Sequence, residues 1–182
     1  MNSTMNDSQL LKLLAISIVD NPRSTIKELA ESVGISKATL HRFCKTRENL
    51  DDMLKEKACL ALKTLIQVAD KDYDNYLEGL TKLTEVHNEN KEYLRFICGI
   101  KNQEHEACCG PYYKSIDAFF LRGQKAGSFK FEFGIKVLTE IYVMVICGMI
   151  DSERRGRVAP YGISEILENL FLHGIMNEKI KK

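Results

Sequence analysis

Tryptophan is absent from this 182-residue chain, proline occurs three times and histidine four. The histidines (His41, His87, His105, His173) form no His-Glu-x-x-His pair. No serine sits in Gly-x-Ser-x-Gly, and no glycine-rich phosphate loop is present. The motif-borne routes to hydrolysis, nucleophilic catalysis and nucleotide binding are missing, so the chain is expected not to be an enzyme, with no metal and no cofactor. Charge of one sign is not in excess either. Net charge is +1, and no global field draws nucleic acid. Long apolar runs are also lacking. Residues 141–150 carry no charge, but a bilayer needs about 20 apolar residues. Residues 10–19 are broken by Lys12, with no small-residue cleavage site after them. The expectation is a cytoplasmic protein with no membrane partner. The six cysteines include no Cys-x-x-Cys pair and fit reduced thiols in a chain long enough to bury its own core.

What is present is a globular composition, 45% hydrophobic and 28% charged, with apolar residues recurring every three or four positions. That period predicts an all-α fold with helices near 7–19, 46–69, 76–87, 91–98, 112–125, 135–151 and 163–175. On the first, Leu10, Leu11, Leu14, Ala15 and Ile18 share a face. Asn21-Pro22 closes that helix. Phe129 to Phe133 alternates over too few residues for a strand and reads as a linker. Gly110-Pro111 reads as a loop or a helix start. Cys59, Cys98 and Cys147 lie in apolar helical settings and are expected to be buried.

The most informative segment is 25–50. Thr25-Ile26-Lys27-Glu28 is a capping box. Ile26, Leu29, Ala30 and Val33 line a short helix, and Gly34 supplies a turn. Ser36 caps a second short helix. Two short helices across a tight glycine turn form a helix-turn-helix. On a wheel of about 100° per residue, Leu40, Phe43 and Cys44 of the second helix point inward, while Ala38, His41 and Arg42 point outward with Lys37 at the edge. The outward side is small, basic and hydrogen-bonding, as a helix entering the major groove requires. Between Ser36 and Arg47 lie Lys37, Arg42 and Lys45 with no acid among them. A solvated helix face would account for the charge alone, but not for the caps and turn at this spacing. Thr46 caps the next helix, and Arg47 beside exposed amides would make a phosphate site.

Thr25-Ile26-Lys27-Glu28-Leu29-Ala30, Gly34-Ile35-Ser36-Lys37-Ala38-Thr39-Leu40 and Thr46-Arg47-Glu48-Asn49-Leu50 together resemble the TetR family of bacterial transcriptional regulators. The resemblance covers about 45 residues without a gap. Beyond it, Gly123-Gln124-Lys125-Ala126-Gly127 and two apolar C-terminal helices agree in layout. It implies a three-helix DNA-binding domain over 1–50 and a helical ligand-binding and dimerisation domain over 51–182. It also implies homodimers on a palindromic double-stranded DNA operator, and a small-molecule effector that releases a repressor. Thr25, Lys37, Thr39, His41, Arg42 and Arg47 fall where the family faces DNA. His41 stands where tyrosine is common, and Cys44 where phenylalanine is common.

Two further sets are expected from helical spacing. Ile141, Val145, Gly148 and Met149 on one helix, with Ile166, Leu167, Leu170, Phe171 and Ile175 on the last, suit a dimer-forming four-helix bundle. Tyr76, His87, Phe96, Tyr112, Tyr113, Phe119 and Tyr142 are candidates to line an effector pocket between the middle helices, although such aromatics also suit a plain core. The alternative reading is a helix-turn-helix regulator that senses oxidants, electrophiles or metal through cysteines. It centres on Cys108 and Cys109 beside His105 and Glu104. Adjacent residues chelate one ion poorly, and flanking acids raise a thiol pKa.

Overall fold

A computed structural model describes residues 6–99, 103–159, 165–166 and 169–170; the side chains of 103–106 fall outside it. Its described residues form eight helices, and the chain separates into two compact units, 1–61 with 90–105 and 62–89 with 106–182.

The first unit is built on α1 (Asp7–Asp20), α2 (Ile26–Ser32), α3 (Lys37–Cys44), the first part of α4 (Arg47–Ala69) and α6 (Lys91–Gly99). Leu10, Leu11, Leu14, Ala15 and Ile18 of α1 are all buried, as their spacing predicts. The helix starts one residue after Asn6, whose side chain accepts from the Gln9 amide at 2.8 Å while the Gln9 side chain accepts from the Asn6 amide at 3.2 Å. Thr25 and Glu28 make the expected reciprocal cap on α2. Gly34 takes φ +74°, which a Cβ would strain, and the Ser36 hydroxyl caps α3 through the Thr39 amide at 3.0 Å. α6 packs along α1. Its Tyr93, Leu94, Phe96 and Ile97 are buried, and Lys12 and Glu92 pair at 3.6 Å.

The second unit holds residues 62–69 of α4 with α5 (Tyr76–Glu89), α7 (Gln103–Lys125) from Glu106 onward, and α8 (Ile135–Arg154). An aromatic core of Tyr76, Phe119, Phe120, Phe129 and Tyr142 joins α5, α7 and α8. Gly123 is required here, because a Cβ would run into the Phe129 ring. The segment after α7 is pinned by buried Gln124, whose amide nitrogen donates to the Lys130 and Phe133 carbonyls at 2.7 and 2.9 Å. The Arg122 guanidinium holds the chain after α4 through the carbonyls of Ala69 and Lys71 and a pairing with Asp72.

Two expectations are overturned. Gly110 and Pro111 do not start a helix; they lie inside α7. Buried Cys109, Tyr112, Ile116, Phe119 and Phe120 form one stripe across that point. Packing of this stripe outweighs the hydrogen bond that proline cannot donate. Cys98 and Cys147 are exposed, not buried, and Cys59 is half-buried. Cys98 and Cys147 each follow a buried residue, Ile97 and Ile146, and one step of about 100° turns them off the packed face.

Candidate functional site

α3 is short, amphipathic and presents one polar face. Leu40 and Cys44 are buried, while Lys37, Ala38, His41 and Arg42 are exposed together. Thr39 is half-buried, and its hydroxyl is engaged with Ser36 at 2.9 Å. Cys44 fills the inward position where the family often has phenylalanine. Its thiol donates to the Leu40 carbonyl at 3.4 Å, and burial raises its pKa. Phe43 is half-buried beside it. Thr25 is exposed at the start of α2. Its backbone amide and hydroxyl both donate to Glu28, at 2.7 and 2.9 Å, holding that carboxyl below its ordinary range.

The reversal from α3 into α4 is a feature that sequence reasoning missed. Lys45 has φ +61°, the only positive φ outside glycine among the described residues. The Thr46 amide donates back to the Cys44 carbonyl at 2.7 Å. Such a conformation costs roughly 1–3 kcal/mol, and it turns the chain from α3 into α4 with Lys45 exposed. No ion pair holds Lys37, Arg42 or Lys45 among the described residues, so this edge of the unit is basic although the whole chain is nearly neutral.

Arg47 is placed differently from its neighbours. Thr46 does cap α4, through the Asn49 amide at 3.1 Å. The Arg47 guanidinium, however, turns back into the unit. It meets Asp51 at 3.0 Å, the Ser24 carbonyl at 2.7 Å and the Pro22 carbonyl at 3.3 Å. It ties the start of α4 to the loop that precedes Thr25.

Of the effector candidates, Tyr76, His87, Tyr112, Tyr113, Phe119 and Tyr142 gather in the second unit, whereas Phe96 belongs to the first. His87 lies at the centre of a buried polar group. Its Nδ1 is 2.7 Å from the Leu83 carbonyl and 3.1 Å from the Tyr142 hydroxyl, and its Nε2 is 2.9 Å from the Tyr112 hydroxyl. A proton on Nδ1 satisfies the carbonyl, and Nε2 then accepts from Tyr112. Burial pushes the His87 pKa down to about 4, so the ring is neutral near pH 7. Burial also raises the Tyr142 pKa, against the lowering effect of a hydrogen bond with the Thr84 side chain. Tyr113 stacks edge-on against Tyr112. Cys108 is half-buried and Cys109 buried on α7.

On α8, Ile141, Val145 and Met149 are half-buried and Gly148 is exposed. Val137 and Met144 extend the same side, 52% and 61% exposed. A Cβ on Gly148 would meet nothing. On a wheel of about 100° per residue, Val137, Ile141, Met144 and Gly148 turn away from the buried Leu138, Tyr142, Ile146 and Ile150, whereas Val145 and Met149 border that buried side. Leu170 is helical and exposed; Leu167 and Phe171 lie outside the described residues.

Comparison with known proteins agrees with this arrangement. A winged helix-turn-helix DNA-binding family matches residues 7–46. The chain is 42% identical over 178 residues to the HTH-type transcriptional regulator NfxB of Pseudomonas aeruginosa, covering 94% of this chain and 95% of that protein. Two solved structures share the fold at lower identity. The TetR family transcriptional regulator PfmR of Thermus thermophilus matches with a TM-score of 0.63 at 21% identity, over 93% of this chain and all of that one. The ketosteroid transcriptional regulator KstR2 of Mycobacterium tuberculosis matches with a TM-score of 0.74 at 17% identity, over 98% of this chain and 97% of that one.

Proposed function

The chain belongs to the TetR family of ligand-responsive, DNA-binding transcriptional regulators, and on that premise we propose that it is a homodimeric repressor released from a palindromic operator by a small molecule. The observation that carries this reading is the exposed Lys37, Ala38, His41 and Arg42 face of α3, capped by Ser36 and backed by buried Leu40 and Cys44. Ala38 permits close approach to base edges, and Arg42 can present a bidentate fork to guanine or reach a phosphate beside it. Lys37 and Lys45 supply charge for the sugar–phosphate backbone, and Thr25 offers a hydroxyl at the start of α2. We assign DNA binding to residues 1–50 and effector response and dimerisation to 51–182.

The Val137, Ile141, Met144 and Gly148 stripe of α8, which stays uncovered among the described residues, supports dimerisation. A second copy across it would present two recognition helices, which half-sites about 34 Å apart require. The aromatic and histidine-containing interior of the second unit supports a moderately apolar organic effector. That KstR2 is by description a ketosteroid regulator is consistent with such a class. Location in the cytoplasm follows from the same reading. Selection of bound sequences from a random duplex pool tests it. Enrichment of a palindrome by the wild-type protein, lost in Arg42→Ala, is expected; recovery of no sequence preference would overturn it.

A further inference from the structure

We propose that the first unit carries its own binding pocket for a small organic carboxylate, separate from any effector site among the helices of the second unit. A pocket of about 330 Å³ opens between the end of α1, the start of α4 and α6. Ile18, Val19 and Phe96 form its apolar wall, and Arg47, Asp51 and Lys55 form its charged wall. The three charged residues follow one another at four-residue intervals, so they make a single stripe along α4.

The chemistry of that stripe selects an anion. Two cations and one carboxylate line the pocket. Asp51 is engaged by the Arg47 Nε at 3.0 Å, and the carboxylate that meets Lys55, Asp52, lies outside the lining with its side chain 73% exposed, where solvent screens the pair. Guanidinium carries five N–H donors. Asp51, Ser24 and Pro22 take three of those on Arg47, which leaves two for a ligand oxygen. The Lys55 ammonium, 3.6 Å from Asp52, adds a second positive centre. Against this head-group site the Phe96 ring and the two aliphatic side chains accept an aryl or short alkyl tail. The volume lies at the small end of ligand pockets, roughly 300–1,000 Å³, which suits a compact arylalkanoate. A carboxylate here would share the guanidinium that holds the Pro22 and Ser24 carbonyls, immediately before the cap of α2.

Titration of the full-length, isotope-labelled protein with 3-phenylpropionate tests the proposal by heteronuclear NMR. 3-Phenylpropanol serves as the neutral probe. Saturable binding of the acid is expected, at least tenfold tighter than the alcohol, with the largest shifts at Val19, Lys55 and Gly99. Two variants locate the site. Lys55→Gln removes a cation at a side chain that is 34% exposed. Gly99→Leu adds a side chain at a lining residue where a Cβ meets nothing within 4 Å, and is expected to narrow the pocket. Each is expected to weaken the acid at least tenfold at unchanged Tm. No saturable binding up to about 10 mM, equal affinity for acid and alcohol, shifts confined to 62–89 and 106–182, or undiminished binding in either variant would overturn the proposal. No DNA enters this test, so its failure leaves the operator-binding reading untouched.

Discussion

The Arg47 Nη1 donates to the Ser24 carbonyl across 2.7 Å, joining the first turn of α4 to the loop that delivers Thr25. The same guanidinium meets Asp51 and Pro22. Arg47 therefore positions the helix-turn-helix from behind. Arg47→Ala should lower the free energy of unfolding by about 1–3 kcal/mol, as loss of partly buried charge-assisted hydrogen bonds does. Arg47→Lys keeps the charge but not the fork, and is expected to recover less than half of that loss. Thermal unfolding of the two variants decides this. Full recovery of Tm by lysine would mean that charge, not geometry, is what Arg47 contributes.

A second prediction concerns acid. The His87 pKa is depressed to about 4 in the folded chain from an unfolded value near 6.5. The unfolded state therefore binds the extra proton first as pH falls. His87 leaves stability undiminished above about pH 6.5 and lowers it progressively between 6.5 and 4, by roughly 3 kcal/mol in all. Urea unfolding across this range should show the decline, and His87→Gln should flatten it. An unchanged slope in the variant would remove His87 as the cause.

Much of the first unit was legible because its signals are local. The α1 stripe, the Thr25–Glu28 box, the Ser36 cap and Gly34 involve residues within a few positions of one another, and each is found as expected. What was missed depends on contacts distant in sequence. Nothing in the order of residues shows that Arg47 turns toward Ser24, or that Phe96 belongs with α1 while Tyr112 and His87 pair elsewhere. Pro111 argued for a break on propensity, and the packed stripe from Cys109 to Phe120 overrode it. Gln124 was visible only as part of a family-like segment; its two carbonyl partners lie beyond the helix end.

Gly123 provides a third test. Because the Phe129 ring occupies the space of its missing Cβ, Gly123→Ala should destabilise the second unit by about 1–3 kcal/mol through overpacking. Phe129→Leu in the same chain should return part of that loss. A double variant no more stable than Gly123→Ala alone would show that the ring is not the source of the clash.

Dimerisation is testable on α8 without disturbing the core. Met144 is 61% exposed and Val137 52%, so glutamate at both positions should leave the subunit folded. Placed at a closed seam, the new charges would cost several kcal/mol. Sedimentation should then show monomers from the double variant and dimers from the wild type, with operator affinity falling in parallel. A wild-type chain that is monomeric at tens of micromolar would contradict the assignment.

The central claim is that the exposed face of α3 reads DNA, and salt titration of binding to the selected operator and to a scrambled duplex tests it most directly. Arg42→Ala should lose about 1–3 kcal/mol on the operator and narrow the gap to scrambled DNA. Lys37→Ala should weaken both duplexes alike and reduce the salt slope by about one. If Arg42→Ala leaves both affinities unchanged, α3 does not enter the groove and the DNA-reading assignment is wrong.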